Sequence, residues 1–253
     1  MTLAYREEPM GAARASRADT VVAWMAAQIR EGDVVATGVA SPLAILAIAV
    51  ARATHAPNLT YISCVGALDP DLTHLHRSSE ELAYLDGRRA EVSIPELFDH
   101  ARRGRVDVVF FGAAEVDGHG RTNMSAAGDL RHPNVKFPGV AGASSLRRWV
   151  KRPVLVVPRQ SKRCLVPEVQ VASTADPSRR TTLVTDLGVF EVGPPEATLV
   201  GVHPWASEAD VSARTGFAYR VSAALAATAA PHEETLRALR TIDRNDMRQT
   251  LVG

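Results

Sequence analysis

The 253-residue sequence predicts an α/β fold, a single open, mostly parallel sheet with helices on both faces. Three observations carry this. Runs such as Val106–Phe111 and Pro153–Val157 are almost continuously apolar rather than alternating, as parallel strands covered on both sides require. Helix-like stretches stand between these runs, so strand and helix alternate along the chain. Several runs also end at glycine (Gly38, Gly66, Gly112), where the backbone must turn away from a sheet edge.

Val21–Arg30 reads as the first helix, with Asp19 or Thr20 as its N-cap and Gly32 as its stop. Asp33–Val39 is then a short buried strand. Ser41 is placed to cap a second helix, Pro42 occupies its first position, where a missing N–H costs nothing, and the apolar segment continues to Arg52. Leu59–Gly66 is the next strand. A polar helix over Ile94–Arg103 leads into the strand Val106–Phe111 and a glycine-rich stretch from Gly112 to Gly142. Pro153–Val157, Val166–Ala172 and Leu199–Val202 are further strands, and Thr181–Val192 forms a hairpin turning at Asp186-Leu187-Gly188. The charged segment Pro231–Asp246 closes the chain as an amphipathic helix. Residues 1–15 are expected to be a loose tail and 16–253 one domain, since no Pro- or Ser-rich linker and no repeat divides them.

Composition excludes several classes of function. Lys and Arg number 29 against 28 Asp and Glu, which leaves no electrostatic footprint for nucleic acid or an anionic membrane. The longest apolar run, Leu43–Ala51, is about half of the ~20 residues a membrane span needs. Neither a disulfide framework nor a zinc finger can be built from two cysteines, Cys64 and Cys164, so a reducing cytoplasm is the expected compartment.

Ligands of open α/β sheets bind beyond the carboxyl ends of the strands. Three segments qualify. In Phe137–Ser144, small residues let a ligand approach backbone N–H groups at a helix start, although the same glycines also serve a tight turn. Asp117–Asn123 reads as a solvated hairpin turn, or as a turn whose polar side chains reach a ligand. Cys64, at a strand end beside Gly66, is either an inert core thiol or a nucleophile. Asp69, Asp71, His74 and His76 have the residue types of a metal site but no ligand spacing, and no metal is expected there. His203, after a strand, either lines a cleft or is a satisfied loop histidine.

The order of the motifs adds to this reading. Gly112–Asn123, Phe137–Ala143, Leu183–Phe190, His203-Pro204 and Thr215–Phe217 follow one another as in β subunits of family I CoA-transferases, which the chain resembles from about Ala18 to Phe217. It looks most like the glutaconate CoA-transferase β subunit, and the stretches Val34–Leu43 and Tyr61–Leu68 look like the β subunit of the actinobacterial steroid-degrading hydrolases. The resemblance implies the CoA-transferase (NagB/RpiA-like) fold and a homologous α subunit, in an α2β2 heterotetramer. The family's catalytic glutamate would fall at Cys64, within Ser63–Gly66. A thiol cannot form the acyl anhydride of a transferase cycle. The resemblance therefore implies a hydrolase that opens a cyclohexenone-type β-keto acyl-CoA ring during degradation of the steroid C and D rings. The glutamate would lie on the α subunit, with no catalytic residue in this chain and no metal or organic cofactor. Asn123, Gly139, Val140, Ala141, Gly142 and Ala143 would line the substrate and CoA pocket, and a valine at Gly142 is expected to stop turnover without preventing assembly. A CoA-transferase β subunit and a non-catalytic acyl-CoA-binding module are the alternatives.

Overall fold

The computed structural model describes residues 15–73 and 75–253, so the expected tail over residues 1–15 lies outside the described residues except for Ala15. Helix α1 (Arg17–Ala27) leads to β1 (Val34–Thr37), and α2 (Pro42–Ala53) to β2 (Thr60–Ile62). Short strands β3 (Ala67–Leu68) and β4 (Ala90–Glu91) flank a 3₁₀ turn at Leu82–Leu85 and precede α3 (Ile94–Arg102) and β5 (Val108–Gly112). Two hairpins follow, β6 (Glu115–Val116) with β7 (Thr122–Asn123), and β8 (Ala126–Asp129) with β9 (His132–Lys136). Then come α4 (Ala143–Trp149), β10 (Arg152–Val157), β11 (Thr181–Thr185), β12 (Gly188–Val192) and β13 (Ala197–Val202). Helix α5 (Glu208–Ala213), β14 (Tyr219–Ala227), α6 (Glu233–Ile242) and α7 (Met247–Leu251) end the chain.

Ten strands form one sheet in the order β14-β13-β12-β11-β10-β5-β1-β2-β3-β4. Its centre, from β11 through β10, β5 and β1 to β2, is parallel throughout, and antiparallel pairs flank it on both sides. Alternate residues of the central strands enter different cores, which explains their continuous apolarity. Val35, Val108, Phe110, Val154 and Val156 pack under α1, α2 and α6. Ala36, Val109, Phe111, Leu155 and Val157 pack under α3, α4 and α5. Helix α2, with Leu43–Ala51 wholly buried, is the apolar run too short for a membrane. No described helix is long and apolar enough to cross one.

The Thr181–Val192 hairpin forms as expected. Other expectations are corrected. The first helix begins at Arg17 rather than Val21, because Ser16 caps it and Asp19 completes a capping box. Ser41 stands at the N-cap of α2 without a capping bond, its hydroxyl donating to the Val39 carbonyl instead. Val166–Ala172 is not a strand: the N–H groups of Val169 and Gln170 donate to the Asp117 and Glu115 carboxylates, 3.4 and 3.0 Å away, rather than to a ladder. Strand β14 was not predicted, since its alanine-rich sequence has little intrinsic strand preference and it forms by pairing with β13.

Candidate active site

The chain crosses from β1 to β2 on one side of the sheet and returns to place β5 on the other side of β1, so the sheet's topological switch lies between β1 and β5. Outside the carboxyl ends of those two strands is a cavity of about 240 Å3. One wall is the β1 exit, Gly38–Ser41; the floor is Phe110–Ala114 with Met124; the facing wall is Phe137–Ala143 with Leu146. No lining residue carries a charged side chain.

The geometry explains why these walls are made of small residues. Gly139 has φ +99°, which side chains rarely tolerate, although a Cβ there would meet nothing within 4 Å. Gly142 has ordinary backbone angles, but a Cβ would come within 2.0 Å of Phe98 Cζ, whose ring packs edge-on against Trp149. Gly142→Ala is therefore expected to push Phe98 out of the α3–α4 contact and cost about 1–3 kcal/mol in urea denaturation. The expected effect of a valine thus includes a packing defect and is not confined to turnover. Ala40 and Ala141, one on each wall, both hold positive φ, +52° and +39°. Among the described residues, the N–H groups of Val140, Ala141 and Gly142 find no acceptor, whereas Gly139 N–H donates to Met124 O and Ala143 N–H to Val140 O.

Helix α4 is anchored from below by Arg147, whose guanidinium donates to Gly120 O and to the Thr174 and Thr181 hydroxyls. Burial lowers its pKa to about 10, so it remains charged at neutral pH.

Of the predicted site residues, the structure brings Gly139, Val140, Ala141, Gly142 and Ala143 onto one cavity wall. Asn123 is not there. It is fully buried, its Nδ2 donating to Glu115 Oε2 and Ala126 O while its Oδ1 accepts from Ser125 and Ala126 N–H. Its role is to tie β7 to the turn before β8. The Asp117–Asn123 turn is exposed at His119 but buried at Asp117, Thr122 and Asn123, with Asp117 accepting from His119 and Arg121 N–H and paired with the Arg121 side chain. His203 is a satisfied histidine. Its Nε2 lies 3.0 Å from the Thr185 carbonyl and must donate, so Nδ1 accepts from the Thr228 hydroxyl at 2.7 Å, and burial holds the ring's pKa down. Asp69 is engaged by Arg52 and Arg89 and Asp71 by Thr73, while His74 lies outside the described residues.

Cys64 sits just past β2, half-buried, and donates its S–H to the Ser79 carbonyl at 3.1 Å. Burial pushes the thiol pKa up; the Ser79 side chain works against this, and the nearby Glu80 charge reinforces it. The group is a thiol, not a thiolate, at neutral pH. Ser79 Oγ in turn accepts from Ser41 N–H and reaches the Gly38 carbonyl, so one residue separates Cys64 from the cavity wall.

The Coenzyme A transferase family profile matches residues 19–213. The chain belongs to that family. A solved structure of the decarboxylase AibA/AibB superposes with a TM-score of 0.92 at 65% identity, covering 94% of this chain and 99% of that one. Further solved forms of that decarboxylase carry Asn, Val, Ser or Ala in place of one cysteine. A 3-oxoadipate CoA-transferase subunit from Pseudomonas knackmussii is 30% identical over 86% of this chain and 89% of its own length. The cholesterol ring-cleaving hydrolase IpdB subunit of Rhodococcus jostii is 29% identical over 69% and 76%.

Within this member of the Coenzyme A transferase family, sequence reasoning missed the Gly38–Ser41 wall and the Ser79–Glu80 pair. The first was within reach of the strand-end rule, since Gly38 follows β1. The second was not, because nothing local in Ser78–Glu80 reports contact with residues about forty positions earlier.

Proposed function

We propose that this chain is the β-type half of a heteromeric decarboxylase acting on a coenzyme A thioester whose acyl group carries a free carboxylate. The observation that carries the reading is the 65% identity and near-complete superposition with the decarboxylase AibA/AibB. The family supplies the thioester. An α-type subunit, as that relative's two-part name implies, closes the open side of the cavity, two of each chain making the assembly.

The cavity suits this chemistry. Loss of CO2 breaks the bond between the carboxylate carbon and the acyl chain, and the electron pair stays on the chain; where the carboxylate sits on the α carbon, or is joined to it through a conjugated double bond, the thioester carbonyl delocalises that pair as an enolate. A carboxylate concentrates its charge and depends on water, whereas the enolate spreads it, so a cavity with no charged lining side chain destabilises the first relative to the second. The free N–H groups of Val140–Gly142 are the donors for the enolate oxygen. Cys64, a thiol standing just behind the wall, gives its proton through a bridging water to the carbon that lost CO2, and the resulting thiolate takes a proton back from solvent. The thioester is the electron sink, so the reaction requires neither metal nor organic cofactor.

The ring-opening hydrolase is the second reading, favoured by the 29% identity to the IpdB subunit, and it uses the same enolate donors. A transferase cycle needs a carboxylate nucleophile where the family resemblance places Cys64. The three are separated by one assay: the chain, assembled with its α-type partner, is given, in D2O, CoA monothioesters of dicarboxylic acids whose free carboxylate sits on the α carbon or is conjugated to it. The expected product is the thioester lacking CO2 and carrying one deuterium. A product enlarged by water, or CoA moved to an added acid with no CO2 released, overturns the decarboxylase reading.

A further inference from the structure

The segment Ser78–Glu80 touches both the thiol and the cavity wall. It lies between β3 and the 3₁₀ turn, far in sequence from both. Ser79 is fully buried. Its carbonyl accepts the Cys64 S–H at 3.1 Å, and its hydroxyl accepts from Ser41 N–H at 3.1 Å while reaching the Gly38 carbonyl at 3.3 Å. Glu80 is exposed, and its Oε1 accepts from Ala40 N–H at 2.9 Å. Ala40 is the wall residue at φ +52°, a conformation an alanine holds only when its surroundings fix it. Ser78 Oγ donates to the other carboxylate oxygen and sets its direction.

We propose that Ser79 and Glu80 are positioning residues for the reaction, a clamp that fixes the Cys64 thiol and the Gly38–Ser41 wall relative to one another. The proposal deepens the decarboxylase reading by adding residues that act through the thiol and through Ala40. The Ser79 carbonyl favours S–H over S⁻, because a thiolate has no proton to give it, while the Ser79 side chain pulls the other way and burial outweighs it. The carboxylate of Glu80 acts in the same direction by charge. The other titratable groups that face the thiol are Tyr61 on β2 and Tyr84 on the 3₁₀ turn, both phenols kept neutral mainly by burial. Glu80 itself stays ionised: burial opposes its charge, but hydrogen bonds from Ser78 and Ala40 N–H outweigh that and hold its pKa down.

Two substitutions separate charge from position in the assembled protein. Glu80→Gln keeps an acceptor for Ala40 N–H and removes the charge. The ultraviolet thiolate absorbance of Cys64, referred to Cys64→Ala, is expected to titrate about half a pH unit lower than in the wild type. Glu80→Asp keeps the charge but draws the carboxylate back by one methylene, so the thiol titrates as in the wild type while kcat/KM falls at least about tenfold. A Gln variant whose thiol titrates as wild type, or an Asp variant with wild-type kcat/KM, overturns the clamp. The thiol titration needs no turnover, so it stands apart from the function itself. If the thiol midpoint moves in Glu80→Gln and the alkaline limb of kcat/KM does not follow, Cys64 is not the proton donor, although the clamp stands.

Discussion

Cys64→Ala in the assembled protein is expected to lower kcat for decarboxylation by about 10²- to 10³-fold and to leave KM within about twofold, since a positioned general acid contributes on that scale. The separation of the two constants follows from geometry: Cys64 is beside the cavity, not among the residues that line it, so ground-state contacts survive its removal. Stability should change little, because the side chain is only half-buried and makes a single weak hydrogen bond. Cys64→Ser should recover part of the loss, as a hydroxyl in the same place still carries a proton but is a poorer acid. Stopped-flow single-turnover kinetics measure this directly, because chemistry is then observed apart from product release. Wild-type single-turnover rates in Cys64→Ala would return the chain to the role expected from sequence alone, one with no catalytic group of its own.

That expectation shows where sequence reasoning reached and where it stopped. The parallel sheet was legible because Val108–Phe111 and Pro153–Val157 are apolar at every position, which two-sided burial explains. That Gly139–Ala143 would stand together beyond the strand ends was legible because strand ends and small residues are both written locally. Asn123 was misplaced for the complementary reason. A polar residue in a turn looks the same in sequence whether it faces a ligand or satisfies Glu115 and Ala126 inside the protein. The Cys64–Ser79–Ser41 connection could not be read, because β1, β2 and the Ser78–Glu80 segment become neighbours only once the sheet has formed. The cavity's charge balance belongs to the same class. The sequence has 28 acidic residues, and only the fold shows that, among the described residues, none of them lines the cavity.

Arg248→Met is expected to cost about 3–5 kcal/mol at neutral pH, because it leaves buried carboxylates uncompensated. Arg248 is 3% exposed and holds Asp19 at 2.6 Å and Asp243 at 2.9 Å, themselves only 5% and 3% exposed. Burial works against the Asp19 charge, but hydrogen bonds from Ser16 and Arg248 and the Arg248 charge outweigh it and hold its pKa below the usual range. A carboxyl depressed in the folded state adds stability above its unfolded pKa and loses it as pH falls through the folded value, so the wild type loses this contribution only below about pH 4. In Arg248→Met the Asp19 carboxyl keeps its burial and loses the Arg248 charge, so it favours protonation, and the variant gains stability on acidification. Urea denaturation should therefore show a large gap between the two proteins at neutral pH that narrows towards pH 4, and a gap independent of pH would refute the ion-pair origin. The consequence reaches the active site before unfolding does. Arg248 fastens α7 to α1, and Leu251 of α7 lines a second cavity that shares Ala40, Ser41, Phe110 and Gly112 with the first. Loosening α7 removes support from the wall that Glu80 and Ser79 hold on its other side, so activity in Arg248→Met should fall at temperatures where the protein is still folded.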